Sequence, residues 1–234
     1  MNRGYILAVA SYISGAIGSL VTKALMEASS AETAAVLWYL SGSVMTLILV
    51  LAFRGGLRLY SFRRNARLYL TISSVMTVAA LSWFMGIRFA GPSVVAFMAQ
   101  LGIVFGVLLG AFVLREHIGI LDGAGGAVAI AGAAVMTYRA GGTVLLGIVL
   151  ALLMSIGLAI QSLLVKRNVA AIDKLELIFV RSVTAFVGIL TYSIVVDGLV
   201  WPRTWVLPAA FVGSWFGYVM VNFLLYQALN YADL

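Results

Sequence analysis

Apolar residues run along this chain in blocks of about twenty, broken by short polar stretches, and that spacing predicts membrane-crossing helices. Roughly 20 apolar residues in a helix cover the ~30 Å of bilayer hydrocarbon. By that ruler eight spans are expected, over Tyr5–Met26, Thr33–Phe53, Leu68–Phe89, Pro92–Leu114, Ile118–Tyr138, Val144–Val165, Leu175–Val196 and Val206–Tyr231. The connections are short except for Arg54 to Arg67, and no segment reads as a soluble domain or a flexible linker. Met1-Asn2-Arg3 ahead of an apolar run resembles a secretory leader. The apolar stretch continues to about Met26, however, with no cleavage site before a soluble domain, so it reads as an uncleaved first span.

Composition removes the soluble alternative. Apolar residues make up 63% of the chain and charged residues 10%, against roughly 45–50% and 25% in an ordinary soluble domain. So few charges cannot cover so much apolar surface in water. The absence of cysteine excludes a disulfide framework, a thiolate metal site and a thiol nucleophile. The 24 glycines against 3 prolines suit helices that approach closely, because lipid offers no hydrophobic drive to hold them together.

The net charge of +7 does not point to a nucleic-acid partner, because the basic residues sit in loops between apolar runs. There they set orientation. With a cytoplasmic N-terminus, the inner side carries ten: Arg3, Arg54, Arg58, Arg63, Arg64, Arg67, Arg115, Lys166, Arg167 and Lys174. The outer side carries four, Lys23, Arg88, Arg139 and Arg203, while Arg181 falls inside a span. The expected location is the cytoplasmic (inner) membrane, multi-pass, with both termini inside. The five arginines from Arg54 to Arg67 read first as a topology determinant. Contact with anionic lipid, about 1 kcal/mol per basic residue, comes second.

The chain also repeats itself. Between Gly4–Lys23 and Gly147–Lys166, at an offset of 143, nine of twenty pairs are identical, among them Gly4/Gly147, Ala16/Ala159, Ser19/Ser162 and Lys23/Lys166. The sixth span then repeats the first, and a unit of five spans, being odd, places its second copy upside down. A weaker echo sets Phe84 and Phe89-Ala90 against Tyr226 and Tyr231-Ala232 at an offset of 142. The expected fold is therefore an all-α integral membrane protein of about eight transmembrane helices. Residues 1–140 form a five-helix repeat, and residues 141–234 an inverted, incomplete repeat of three helices that reads as truncated. Inverted repeats are a building plan of secondary transporters, with solute bound near the midplane.

The stretch Ser82 to Met136 carries a family resemblance. It runs through Trp83-Phe84 and Arg88-Phe89-Ala90, a fourth span closing as Leu114-Arg115-Glu116-His117, and the glycine-framed Gly126 to Gly132. With Arg181 near the start of the seventh span, these residues resemble the EamA-type branch of the drug/metabolite transporter superfamily. That resemblance implies ten spans in two inverted halves and movement of metabolites, amino acids or drugs across the cytoplasmic membrane. Two departures stand out: Leu101-Gly102 replaces the mid-helix proline often found in the fourth span, and spans nine and ten are missing.

Groups that are costly in lipid are the candidates for chemistry. Arg181 is the one ionisable residue clearly inside a span, about six residues and roughly 9 Å from its cytoplasmic end. Snorkelling to the interface competes with solute contact there. Lys23, Lys166 and Asp122 are expected near interfaces or helix ends. No carboxylate lies near a span centre, which argues against small-multidrug-type cation/proton exchange. Tyr12, Gln100, Gln161 and Asn222 place hydrogen-bonding groups deep in apolar spans. Singly each reads as an interhelical bond worth about 0.6 kcal/mol; together they predict a polar cavity, with Trp38, Trp83 and Trp215 as stacking candidates for its wall. Gly102, Gly106 and Gly110 share one helix face, and with Gly126 and Gly132 they are assigned to helix packing, static or sliding.

Enzyme signatures are missing. His117 is the single histidine, too few for a zinc site of the usual type, and no nucleophile elbow, paired-histidine helix or phosphate loop occurs. No metal or cofactor is expected. The sequence thus predicts a secondary transporter of small metabolites or drugs, working by alternating access with a small solute and the bilayer as partners. The alternative is a non-transporting membrane protein or an inactive truncated copy.

Overall fold

A computed structural model describes residues 3–54, 59–115, 117, 119–138, 142–196 and 198–228. Met1, Asn2, Arg58, Glu116, Ile118, Arg139, Tyr231 and Ala232, used in the readings above, lie outside the described residues. The chain is helical: α1 Arg3–Ala28, α2 Ala31–Arg54, α3 Tyr60–Arg64, α4 Ala66–Ala90, α5 Pro92–Ala99, α6 Leu101–Leu114, α7 Ile120–Tyr138, α8 Gly142–Arg167, α9 Lys174–Val195, α10 Val206–Ser214 and α11 Val221–Ala228. A π-helical turn, Trp215–Met220, joins α10 to α11 without a break. No strand occurs among the described residues.

Seven stretches are long and apolar enough to cross a bilayer: Ile6–Ala28, Ala31–Phe53, Ala66–Ala90, Pro92–Val113, Val144–Arg167, Lys174–Val195 and Val206–Ala228. The eighth expected span, Ile118–Tyr138, corresponds to helix α7, whose apolar stretch Gly123–Val135 is shorter than the seven crossing-length stretches. This is an all-α, multi-pass membrane fold. Lipid accounts for its apolar outside: along α1 the side chains of Ile6, Val9, Ile13, Ile17 and Leu20 recur at helical spacing and are exposed.

The chain divides into two compact units, Met1–Ser73 with Ala170–Leu234, and Ser74–Val169. In the first, α2 and α9 pair antiparallel. At one end Ser30 Oγ donates to Gly198 O at 2.6 Å and Thr33 Oγ1 to Val200 O at 3.1 Å. At the other end Ser61 Oγ donates to Ala171 O at 2.9 Å. Asp173 caps α9, its Oδ1 accepting the Glu176 N–H at 3.0 Å and satisfying a donor that the first turn leaves open. Helix α1 runs antiparallel to α10 and α11, and Gly18 lies so close to Gly217 that a Cβ on Gly18 would stand 2.7 Å from the Gly217 nitrogen.

In the second unit α4 and α8 pair antiparallel through glycine. A Cβ on Gly147 would stand 2.6 Å from Ala90 N, and one on Gly157 would stand 2.8 Å from Ala79 Cβ. Gly91, at φ +83, makes the turn from α4 into α5, and Pro92 follows at the start of α5, where its missing N–H costs nothing. The fourth span is interrupted even without a mid-helix proline. Around Gln100 the backbone bonds step back three residues, Gln100 N–H to Phe97 O and Ile103 N–H to Gln100 O, both at 3.1 Å.

Candidate functional site

Arg181 enters α9 in its second turn, seven residues and about 10 Å from the helix start. Its side chain does not reach for an interface. It is 2% exposed and turns inward to the segment that follows α10. Nε donates to the Tyr218 hydroxyl at 3.3 Å, one Nη to the Tyr226 hydroxyl at 2.9 Å, and the other to Asn222 Oδ1 at 2.7 Å. The guanidinium also lies over the Tyr218 ring, 5.1 Å from its centroid, an arrangement that gains from the ring quadrupole. Among the described residues no carboxylate lies within ion-pair distance of Arg181. An arginine at a helix centre in lipid costs about 2.5–3.5 kcal/mol by insertion scales, and among the described residues neutral oxygens and a ring face meet it here.

The partners of Arg181 come from one face of one helix. Tyr218, Asn222 and Tyr226 are spaced four apart, so successive turns bring them to the same side. They are tied to each other and to α9: Asn222 Nδ2 donates to Tyr218 O at 2.6 Å, and the Tyr218 hydroxyl donates to Ile178 O at 3.1 Å. Tyr39 of α2 stands edge-on to Tyr218, with centroids 5.3 Å apart. Next to this cluster Thr46 Oγ1 and Ser182 Oγ meet at 3.2 Å between α2 and α9.

Tyr218 belongs to the π-turn, a rare conformation concentrated at functional sites. A π-turn disturbs the regular helical ladder, and α1 supplies two hydroxyls to the segment. Ser14 Oγ donates to Phe216 O at 2.7 Å, and Ser11 Oγ donates to Val221 O at 2.9 Å. Trp38 of α2 packs against the same segment, its ring 2.7 Å from where a Cβ on Gly213 or Gly217 would sit. Only glycine admits the indole there.

The sequence-derived candidates therefore separate. Arg181 and Asn222 meet directly, and Trp38 and Trp215 belong to the same segment, Trp38 buried and Trp215 half-buried at the head of the π-turn. Tyr12 is 61% exposed on the outer side of α1 and is not in the cluster. In the second unit Gln161 is buried, Trp83 is half-buried and Gln100 is exposed. A Cβ on Gly102 would stand 3.3 Å from Ser155 O, one on Gly126 3.4 Å from Val104 and one on Gly132 3.0 Å from the Phe97 ring. Gly110 is buried, whereas a Cβ on Gly106 would meet nothing within 4 Å beyond its own helix. Tyr39, Tyr218 and Tyr226 were not among the candidates. The four-residue spacing of Tyr218, Asn222 and Tyr226 is a signal that was available; the π-turn that aims them is not.

A second polar assembly lies at the Ala171 end of the first unit. Glu176, 1% exposed, accepts the Phe62 N–H at 2.9 Å. The Tyr69 hydroxyl accepts the Asp173 N–H at 2.8 Å and lies 3.0 Å from Ser61 Oγ. Asn65 Nδ2 adds a bond to Ala171 O at 3.1 Å. Among the described residues no three His, Cys, Asp or Glu side chains are grouped to hold a metal ion.

A solved crystal structure resembles this fold with a TM-score of 0.75 at 16% sequence identity, covering 98% of this chain and 81% of its own. No curated protein matches the sequence. A family model described as the EamA-like transporter family matches residues 2–138.

Proposed function

Because the chain belongs to the EamA-like transporter family, we propose that it carries small polar or amphipathic solutes across the cytoplasmic membrane by alternating access, with an anionic or zwitterionic group of the solute handled at Arg181. At the coarser level it is a multi-pass membrane transporter. The observation that carries the finer reading is the buried guanidinium of Arg181, held by three neutral acceptors and a ring face. A charge kept at that depth without a counter-charge is a functional group by default. A carboxylate supplies the missing charge and fits the guanidinium fork. Tyr218, Asn222 and Tyr226 hold the fork in the absence of solute and exchange places with it. The π-turn is the element that lets them do so, because restoring α-geometry rotates everything beyond it by about one residue, roughly 100°.

The antiparallel pairing of α2 with α9 supports the inverted-repeat reading, in which residues 1–140 and 141–234 are opposed copies and α9 is the counterpart of α2. The bias of basic residues supports a cytoplasmic N-terminus. The bond from Ser61 to Ala171 fits that orientation, since it joins the arginine-rich connection to the turn that follows Lys166 and Arg167.

The test is uptake by proteoliposomes containing the full chain. Solutes are offered as matched carboxylate and amide pairs, such as phenylacetate with phenylacetamide and an amino acid with its amide. Flux is expected for the carboxylate member of at least one pair. It should fall tenfold or more in Arg181→Ala and be restored poorly by Arg181→Lys, because lysine keeps the charge and lacks the fork. Absence of flux for every solute in the wild type would sink the proposal.

A further inference from the structure

The connection between α2 and α4 is built more firmly than an orientation signal requires. Orientation needs only a count of charges near the membrane. Here α3 is fastened by Ser61 Oγ and Asn65 Nδ2 to Ala171 O, by the Phe62 N–H to Glu176 Oε2, and by the Tyr69 hydroxyl near Ser61 Oγ. The Phe62 and Tyr69 rings meet edge-on at 5.9 Å. All of these side chains or backbone groups turn toward the protein. The opposite side carries Tyr60, 74% exposed, with Arg63 and Arg64 three and four residues on, and Arg67 in the first turn of α4. All three arginines are exposed. Among the described residues none of their side chains has an ion-pair or hydrogen-bond partner.

We propose that Tyr60, Arg63, Arg64 and Arg67 form a binding site for the phosphodiester of an anionic phospholipid. The site's level in the membrane follows from the chain. It lies between the end of one span at Phe53 and the start of the next at Ala66, where headgroups sit. Its charge is complementary, three guanidinium groups that make no ion pair with a carboxylate among the described residues. Its geometry suits phosphate, because a guanidinium offers paired N–H donors in a plane. An exposed tyrosine beside them is at home at the same depth. A bound lipid would also be felt inside the protein, since the backbone of α3 is bonded to Glu176 in the first turn of α9.

The experiment is thermal unfolding of the full chain in detergent, with added phosphatidylglycerol, added phosphatidylcholine or inorganic phosphate. Phosphatidylglycerol should raise the Tm of the wild type by about 5 °C, the order expected when several arginines each gain a headgroup contact. Phosphatidylcholine and inorganic phosphate should leave it within about 1 °C. The shift should vanish in R63Q/R64Q/R67Q and fall by about a third in Arg64→Gln, which serves if the triple variant does not fold. Arg115→Gln, which removes an exposed arginine elsewhere in the chain, should keep the full shift. An undiminished shift in R63Q/R64Q/R67Q or in Arg64→Gln overturns the proposal, as does an equal shift with inorganic phosphate.

Discussion

In the unit formed by residues 1–73 and 170–234, buried polar groups join the helices, including a charged guanidinium and two carboxylates, Glu32 and Glu176. In the unit formed by residues 74–169, the described helices meet through glycine, alanine and single hydroxyls, Gln161 is a buried amide, and no described charged side chain is buried. Ser155 Oγ, bonded to Met98 O at 2.8 Å, is typical of that second unit. Both units use close backbone approach, Gly18 on Gly217 in one and Gly147 on Ala90 in the other. Both therefore meet the basic demand of packing in lipid, where small residues replace hydrophobic drive. Among the described residues only the first buries charged groups, whose desolvation is the most costly. Packing alone does not call for such groups, and the difference supports the proposal that solute is handled at Arg181 in the first unit.

The largest expected effect is on transport. Arg181→Ala should reduce initial uptake tenfold or more, while Gln161→Ala, at the most deeply placed polar amide of the second unit, should stay within twofold. Uptake rates normalised to reconstituted protein check this, and equal losses would erase the distinction between the units. Arg181→Ala should also lower stability by about 2 kcal/mol, three interhelical bonds at ~0.6 kcal/mol each, measured by thermal unfolding in detergent.

Next come the glycines. Gly147→Ala forces a Cβ onto the Ala90 backbone and should destabilise by about 1–3 kcal/mol. Gly106→Ala, with open space around it, should be neutral or stabilising by a few tenths of a kcal/mol. Unfolding midpoints of the two variants sharpen the picture of where this unit is tight. The smallest effects are expected from single hydroxyls. Ser14→Ala and Ser155→Ala should each cost about 0.6 kcal/mol, yet only Ser14→Ala should slow uptake, because its bond holds the π-turn. Equal uptake in both variants would remove the π-turn from the mechanism.

Much of the fold was legible in the sequence because lipid imposes a simple rule: about twenty apolar residues, then a break. The spans beginning at Pro92 and Val206 were placed at the correct first residue on that rule alone. The inward turn of Arg181 was less legible, because an arginine two turns into a helix can reach an interface or a neighbour, and sequence does not choose between them. Tyr12 and Gln100 illustrate the other side of the difficulty. Both sit deep in apolar spans by sequence, but the helix face decides their surroundings, and both are exposed. A nearly uniform apolar helix has little amphipathic signal to reveal that face. Tyr218 depends on a π-turn, a local change of register that leaves no mark in the hydropathy pattern.

The proposal that the buried polar centre opens to one side of the membrane and then the other is tested directly at Ser214. This residue ends α10 one helical turn before Tyr218, is fully buried, and has an Oγ without a hydrogen-bond partner among the described residues. Ser214→Cys is nearly isosteric, and the native chain contributes no other cysteine. Membrane-impermeant maleimide would be applied to right-side-out and inverted vesicles, with and without a transported carboxylate. Labelling from both faces, with the ratio between them changed by the solute, is the expected result. A cysteine that stays unreactive from both faces under every condition, in a variant that still transports, would contradict alternating access at this centre.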